Sequence, residues 1–600
     1  MKLPVLPADM IGQAAALINQ GQAKAAERLL KTVLRSDPGN PEALVMIGVL
    51  CGMQGQLNEA VKHLSHAARR RPSSDAAHYN LGQALIRLGR YEEAAQALER
   101  AAALADRAEI HEKLGDCLLR LDKIDESIRH FARAVELDPS NSLALSSLIE
   151  AKRRACDWPR LGEHEATLVA LARQGHPVEP LLMFHVDDDP ALHRSVCERY
   201  WKDLVGTEQA YRPAASRGSS RAKPGRIRIG YLSGDFRRHP MVSVIAEAME
   251  LHDRSRFEVH GFSYGQDDAS PQRKRMAAAF EKFHDVRAAA TTQIVKRIAQ
   301  AGIDILIDLG GYTANARLDI VAARPAPVMC HYMGFPGTMG TAAIDYVIAD
   351  RIVAPDGALE HFSEALVRLP ECYWAIDRKR PVADDLPARA TLGLPEDGIV
   401  FASFNGQQKL TPALFDVWAR IMSAVPGSVL WFYCDHPPAV ENIRREIASR
   451  GIDASRLVFA DRVPQPEHLA RMRIADLILD TLPYGGHTTT ADALWMGVPI
   501  ITIEGRSFAS RVGVSLLKAT GMDDLALPSL EAYEHEAIAL ASEPHQLAAL
   551  RERMRSMRGA CPLFDTARFT RHLEAAYVEI WRRAQDGVRP QTVDVPAIDG

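Results

Sequence analysis

The sequence predicts an α plus α/β chain, in which an N-terminal α-solenoid precedes a pair of doubly wound parallel-sheet domains. Three observations carry this. An apolar-Gly pair recurs at Ile47-Gly48, Leu81-Gly82 and Leu114-Gly115, with spacings of 34 and 33 residues, the mark of a helical repeat. From Arg226 onward, short β-rich runs alternate with helical patterns, which implies parallel sheets covered on both faces. A length of 600 residues exceeds what one core usually supports.

Composition narrows the class. Hydrophobic content of 47% and charged content of 25% are those of a soluble globular chain. A net charge of -4 carries no nucleic-acid footprint. No apolar run reaches a membrane span, and Met1-Lys-Leu-Pro-Val-Leu-Pro lacks the apolar core of a signal peptide, so a cytoplasmic protein without membrane contact is expected. The cysteines at 51, 117, 156, 197, 330, 372, 434 and 561 form no Cys-x-x-Cys pair. Buried reduced thiols are expected, and no metal site.

In the repeat frame, Ala60, Ala94 and Ser127 are small where helices cross, Ala67, Ala101 and Ala134 follow seven residues later, and Pro38, Pro72 and Pro139 end the units. This resembles the tetratricopeptide repeat. A looser first unit with Gly21, Ala26 and Leu30 gives about four repeats, assigned to residues 1–146. Stacked helix pairs form a concave surface suited to peptides, or else a spacer. Residues 147–212 read as a helical cap and connection. Within them Asp187-Asp188-Asp189-Pro190 reads as a solvated loop with its proline at a helix start, rather than as a metal-binding Asp-x-Asp. Residues 213–225 have the composition of a flexible linker.

The first α/β domain is assigned to 226–385, with strands at Ile227–Leu232, Phe257–Phe262, Ile303–Ile307 and Val328–Tyr332. The second, 386–586, restarts after a variable stretch with strands at Ile399–Phe404, Val429–Tyr433, Leu457–Phe459, Leu477–Leu479 and Pro499–Ile503, and 587–600 is a tail. Ligands of such sheets bind beyond the carboxyl ends of the strands. There the segment from Asp480 to Asp492, with Gly485, Gly486, His487, Thr488, Thr489 and Thr490, reads as strand, glycine loop and helix start. It is either a phosphate seat or an ordinary βα turn with a threonine cap. Gly-x-Gly-x-x-Gly and P-loop motifs are missing, which disfavours a standard dinucleotide enzyme or NTPase. Lys409, before the helix opened by Thr411-Pro412, could meet a diphosphate or be a solvated lysine. His239-Pro240, after the first strand of that region, could supply a base, orient an acceptor or be a satisfied loop residue. His468 could stack on a base or cap a turn, and the loop Phe335–Gly340, with Gly337 and Thr338, suits close ligand approach or a tight turn.

Taken together, the repeats, Gly230-Tyr-Leu-Ser-Gly-Asp-Phe-x-x-His-Pro240, Arg324-Pro-Ala-Pro-Val328, Gly334-Phe-Pro-Gly-Thr338, Phe404-Asn405 with Lys409, and Gly486-His-Thr-Thr489 resemble the protein O-GlcNAc transferases of glycosyltransferase family 41. The resemblance covers nearly the whole chain. It implies a GT-B pair of Rossmann-like domains, and inverting transfer of GlcNAc from UDP-GlcNAc to Ser or Thr hydroxyls of proteins, without metal or cofactor. It further implies that Lys409 holds the diphosphate and that Gly486, His487, Thr488 and Thr489 form the donor loop. Asp492 grips the ribose and His468 stacks on uracil. His239, with Pro240, Gly337 and Thr338, lies on the acceptor and sugar side, and His284 is a second active-site histidine. Protein acceptors are expected in the repeat groove and the cleft. The position before each apolar-Gly pair, where an asparagine ladder would grip acceptor backbone, reads Met46, Asn80 and Lys113, and only Asn80 fits.

Departures loosen the donor. Gly406, Gln408 and Gln465 replace a glutamine, a tyrosine and a lysine of the animal pattern. Leu366-Val-Arg-Leu-Pro370 with Cys372, Lys409-Leu-Thr-Pro412 and Met496-Gly-Val-Pro499 are closer to the SPINDLY branch, which uses GDP-fucose. His487 and Asp492 follow the GlcNAc branch. UDP-GlcNAc is the expected donor and GDP-fucose the alternative. An alternative of another class is a tetratricopeptide scaffold with an inactive transferase domain, against which Lys409, His487, Thr488, Thr489 and Asp492 speak. N-glucosylation by a related bacterial branch ranks low, since that branch lacks the repeats.

Overall fold

The computed structural model describes residues 7–206, 225–434 and 436–598. Of the expected linker 213–225, all but Gly225 lies outside the described residues. The chain forms two compact units. One runs to Ala155 and includes Pro159–His164, and the other comprises Cys156–Trp158 and the chain from Glu165 onward.

The first unit is a run of antiparallel helix pairs: Pro7–Asn19 with Ala23–Ser36, Pro41–Met53 with Leu57–Arg70, Asp75–Arg87 with Tyr91–Leu104, and Ala108–Arg120 with Ile124–Leu137, followed by Ser142–Arg154. The repeat glycines explain its packing. A Cβ on Gly48 or Gly82 would stand 2.6 Å from Cγ of Leu64 or Leu98, and one on Gly115 2.7 Å from the Phe131 ring. In the last three pairs the second helix therefore lays a large side chain on bare backbone of the first. Ala60, Ala94 and Ser127, and then Ala67, Ala101 and Ala134, are fully buried at the crossings. Asn40, Ser74 and Asn141 cap helices Pro41–Met53, Asp75–Arg87 and Ser142–Arg154 by accepting the amides of Ala43, Ala77 and Ala144, satisfying donors that have no intrahelical partner. Asn80 is half-buried, and its side-chain amide donates to Ala76 O at 2.8 Å. One donor needed to grip an acceptor backbone is thus spent within its own helix.

In the second unit the first domain contributes β1 (Ile227–Ser233), β2 (Phe257–Ser263), β3 (Lys282–Asp285), β4 (Ile305–Asp308), β5 (Val328–His331), β6 (Tyr346–Asp350) and β7 (Ala365–Leu369). The second contributes β8 (Val400–Ser403), β9 (Val429–Tyr433), β10 (Leu457–Ala460), β11 (Leu477–Leu479), β12 (Ile500–Ile503) and β13 (Ala526–Leu527), and β14 (Val593–Asp594) follows. The sheets run β14-β7-β6-β5-β4-β1-β2-β3 and β10-β9-β8-β11-β12-β13, with the described pairings parallel. Both orders turn about their first strand, β1 beside β4 and β8 beside β11, which creates a crevice at the carboxyl ends.

The chain end departs from the expected layout. Residues 587–600 were expected as a tail and 566–586 as part of the second domain. Instead helix Thr566–Gln585 returns to the first domain and β14 pairs with β7. Polar bonds within the core fix this return. Tyr577 OH lies 3.0 Å from Tyr231 OH, Tyr231 OH lies 2.9 Å from His252 Nε2, and Glu574 accepts from His252 Nδ1 at 3.0 Å and from the Asp253 amide at 2.7 Å. Burial lowers the His252 pKa, so the ring is neutral, donating through Nδ1 and accepting through Nε2.

Replacing Gly82 by Val should destabilise the helical-repeat unit by about 2 kcal/mol through overpacking against Leu98. Gly12→Ala, whose Cβ meets nothing within 4 Å, should be neutral or stabilising by up to ~1 kcal/mol. Urea denaturation followed by circular dichroism compares the two.

Candidate functional site

Two loops leave the switch point of the second sheet. After β8 the chain runs through Asn405 and Gly406 into the short turn Gln407–Lys409, then into helix Pro412–Ala424, whose N-cap Thr411 accepts the Leu414 amide. After β11 it runs from Asp480 to His487 and enters helix Thr488–Met496. Asp480, 1% exposed, ties them together. Its Oδ1 accepts from Asn405 Nδ2 at 2.8 Å, the Thr481 amide at 2.8 Å and the Gly486 amide at 2.6 Å, and its Oδ2 accepts from Thr502 Oγ1 at 2.7 Å. Thr490 Oγ1 donates to Gly486 O at 2.9 Å. A Cβ on Gly486 would stand 2.6 Å from that hydroxyl, so the loop closes only with glycine there.

Within this frame Lys409 Nζ donates to Gly485 O at 2.6 Å and lies 3.8 Å from the centroid of the Tyr484 ring. Burial lowers its pKa to about 8, against the pull of Asp480. His487 Nε2 donates to Ala509 O at 3.1 Å, and its ring meets Tyr484 at 5.1 Å and Trp374 at 5.9 Å. Burial and then the Lys409 charge push it down to about 3, so it is neutral with Nδ1 free of the proton. The amides opening helix Thr488–Met496 have no intrahelical partner and sit at the positive end of its dipole. A half-buried ammonium close to a helix start is an arrangement for a dianion such as a diphosphate.

His468 packs edge-on against Phe404 at 5.1 Å and accepts from Arg471 Nε at 3.2 Å through Nδ1. Burial and then Arg471 lower it to about 4, leaving a neutral, half-buried ring beside the β8 loop. Asp492 is buried and ion-paired with Arg380. Gln465, at the start of the helix that carries His468, bonds Ser243 (Nε2 to Oγ, 2.9 Å). Ser243 lies just past His239-Pro240, so this bond joins the neighbourhoods of His239 and His468.

His239 follows β1, at the switch point of the first sheet. Its Nδ1 accepts the Met241 amide at 3.3 Å. Burial lowers its pKa, opposed by Asp235 and aided by Arg237, and the neutral ring therefore carries its proton on Nε2. Pro240 is exposed beside it.

Other expected residues are not gathered here. The Thr338 hydroxyl is 3% exposed and donates to Glu364 at 2.6 Å. Gly337 is also buried, and its missing Cβ leaves room for Phe184, whose Cζ would be 3.2 Å away. The Thr338 donor is thus paired and Gly337 approaches an aromatic ring, and both residues line a cavity with Pro336, His193 and Arg506. His284 lies on the edge strand β3, its ring stacked 4.5 Å from Phe262 and its Nε2 3.3 Å from His260 Nδ1. Phe262 belongs to a buried cluster that also holds Phe184, Phe335 and Ala509, and His284 is half-buried against it. Asp188, expected in a solvated loop, accepts from the Arg506 amide at 2.6 Å, the Ser507 amide at 3.0 Å and Ser510 Oγ at 2.7 Å, because a carboxylate satisfies the open helix start there.

Asp480, Tyr484, Trp374 and Arg380 were not singled out as site residues. The first two stand in the loop the glycines marked, whereas Trp374 and Arg380 lie in or beside the variable stretch between domains, where periodicity carries no signal. Among the described residues no group of three or more His, Cys, Asp or Glu side chains is placed to hold a metal ion, and no helix is long and apolar enough to cross a membrane.

Asp480→Ala would strand the amides of Thr481 and Gly486 and the hydroxyl of Thr502. At about 1–3 kcal/mol per buried unsatisfied group, a loss of about 3 kcal/mol or more is expected in denaturant unfolding of the second unit. Asp480→Asn, which keeps an acceptor at Oδ1, should lose less.

The model of glycosyl transferase family 41 matches residues 204–386 and 377–573. Over the solenoid, a tetratricopeptide repeat model matches 108–141, and the model of anaphase-promoting complex, cyclosome, subunit 3 matches 19–101. The chain is 37% identical over 422 residues to the probable UDP-N-acetylglucosamine–peptide N-acetylglucosaminyltransferase SEC of Arabidopsis thaliana, covering 69% of this chain and 43% of that protein. It is 36% identical over 384 residues to the similarly named SPINDLY protein of Solanum lycopersicum, covering 62% and 40%. The chain thus spans about two fifths of the length of these curated relatives. A solved mutant O-GlcNAc transferase of Thermobaculum terrenum is 27% identical, with a TM-score of 0.60, over 98% of this chain and 100% of that one. Helical tetratricopeptide repeats followed by two parallel-sheet α/β domains match that GT-B architecture. With the family match extending over both sheet domains and more than half of the sequence, the chain belongs to glycosyl transferase family 41.

Proposed function

We propose that the chain is an inverting protein O-glycosyltransferase that moves GlcNAc from UDP-GlcNAc to Ser or Thr hydroxyls without a metal. The observation that carries this is the convergence of the Lys409 ammonium with the start of helix Thr488–Met496 at the switch point between β8 and β11. In the reaction, an acceptor oxygen attacks the anomeric carbon from the face opposite the diphosphate. The bond from that carbon to the diphosphate oxygen breaks, and UDP leaves with the electron pair. The hydroxyl proton passes to water or to a phosphate oxygen.

Charge growing on the leaving diphosphate is what Lys409 and the helix amides stabilise, in the role a metal fills elsewhere. A lysine whose pKa lies near 8 in the free protein regains a firm charge when the dianion arrives. His239 holds its proton on Nε2, which suits donation to acceptor or sugar and makes it a positioning group rather than the base. His468 offers a neutral ring for a base to stack on, and Asp492, braced by Arg380, a carboxylate for ribose hydroxyls. Gly486, Thr488 and Thr489 complete the donor loop. Acceptor proteins are assigned to the repeat surface and the cleft.

The test is parallel titration of UDP-GlcNAc, UDP-glucose and GDP-fucose, scored for binding and for transfer to lysate proteins. Lys409→Ala should cut kcat for UDP-GlcNAc by about 10²–10³, the size of losing one transition-state donor, with a much smaller change in KM. Lysine-dependent transfer from GDP-fucose would replace the donor, and no transfer from any donor would favour the scaffold.

The pH dependence has a defined sign. The ammonium is required and titrates near 8, so kcat/KM should fall about tenfold per pH unit above that value. In Lys409→Ala this alkaline limb should vanish.

A further inference from the structure

The helical connection ahead of the first sheet reaches the candidate site along two routes. Helix Pro180–Val186 carries Phe184 and His185, whose rings stand edge-on to Tyr484 at 5.9 and 4.9 Å. Tyr484 in turn holds the Lys409 ammonium over its ring and touches His487. Phe184 is itself wedged against Phe335 at 4.8 Å and His193 at 4.9 Å, and His193 Nε2 donates to Asp187 O at 2.8 Å. Along the second route, Asp188 binds the amides of Arg506 and Ser507 and the Ser510 hydroxyl. These open helix Phe508–Ala519. Ala509, in its first turn, is the residue whose carbonyl accepts the His487 imidazole proton.

We propose that Phe184–Asp188 is a positioning segment for the transfer reaction. It holds Lys409 through Tyr484 and His487 through the Ser507–Ala509 turn. The physical need is plain. A lysine side chain has four rotatable bonds, and the Lys409 ammonium is held by the Gly485 carbonyl and the Tyr484 face, so a ring that moves releases one of its two holds. Tyr484 lies in a loop beside two glycines, so its backbone does not lock the ring. The edges of Phe184, His185 and His487 do. The effect on rate rests on the transferase reading, while the geometry does not.

The deciding experiment labels lysine Cε with 13C in the full chain and uses Lys409→Ala to assign the Lys409 resonance. Ring current from Tyr484 should shift the Lys409 Hε protons upfield. His185→Ala should move them back toward the free-lysine position, and His185→Phe, which restores a ring edge, should return them upfield. In the same His185→Ala protein kcat should fall about tenfold with donor KM within about twofold, as for a displaced reacting group. An unmoved Lys409 resonance in a His185→Ala protein of wild-type melting temperature overturns the proposal, as does a rate loss confined to KM. Should His185→Ala fail to fold, Asp188→Asn carries the test along the second route. There the His487 imidazole resonance should shift, and its constancy overturns the proposal. A wild-type protein that turns over no donor sinks the transferase reading alone, because the resonance shift is read without any donor.

Discussion

The Asp480 carboxylate accepts four hydrogen bonds at a position 1% exposed to solvent, and the candidate site is assembled around it. Three of those bonds come from N–H groups on the two loops of the switch point, so the β8 and β11 loops have one relative position. A carboxylate is suited to this because it only accepts and can take several donors at once. It also places a negative charge near Lys409, which lessens the cost of bringing an ammonium into a dry site.

What that frame creates is a preorganised deficit of negative charge. Lys409 is held by one carbonyl and one ring face, less than an ammonium would gain in water. The helix start contributes amides without intrahelical partners, and His487 and His468 are kept neutral by burial and adjacent cations. A second positive charge on either ring would make the site still harder to bury, which is why both titrate low. On the proposed reading, an incoming diphosphate would supply the missing charge to donors already in place.

The two sheet domains are held in one unit by the ends of the chain that contains them. The C-terminal helix closes on the first domain through Tyr577 and Glu574, which meet Tyr231 and His252 in the core. The helical connection inserts Asp188 into a helix start of the second domain and Phe184 between Phe335 and Tyr484. Arg380, between the domains in sequence, pairs with Asp492. These contacts lie far apart in sequence and consist of single side chains, so no periodic pattern announces them.

Much of the architecture was legible in the sequence, because it follows from short-range rules. The 34- and 33-residue spacing of Gly48, Gly82 and Gly115 marks where bare backbone must accept a neighbouring side chain. Runs such as Val429–Tyr433 can only be buried strands, and Gly485-Gly486 followed by threonines is a loop entering a helix. Strands β3, β13 and β14 went unread, being short and at edges, where neighbours rather than composition set the pairing, and β6 and β7, interior and five residues long, went unread as well. The sequence by itself determined the repeat array, the alternation of the α/β domains and the placing of Lys409 and His487 at strand ends. Only the tertiary structure decided that Thr338 pairs with Glu364 and Gly337 packs on Phe184, that His284 stacks on Phe262, and what Asp188, Tyr484 and Arg380 pair with. The reason is that a side chain's direction and its partner are fixed by packing across hundreds of residues, which local propensity does not encode.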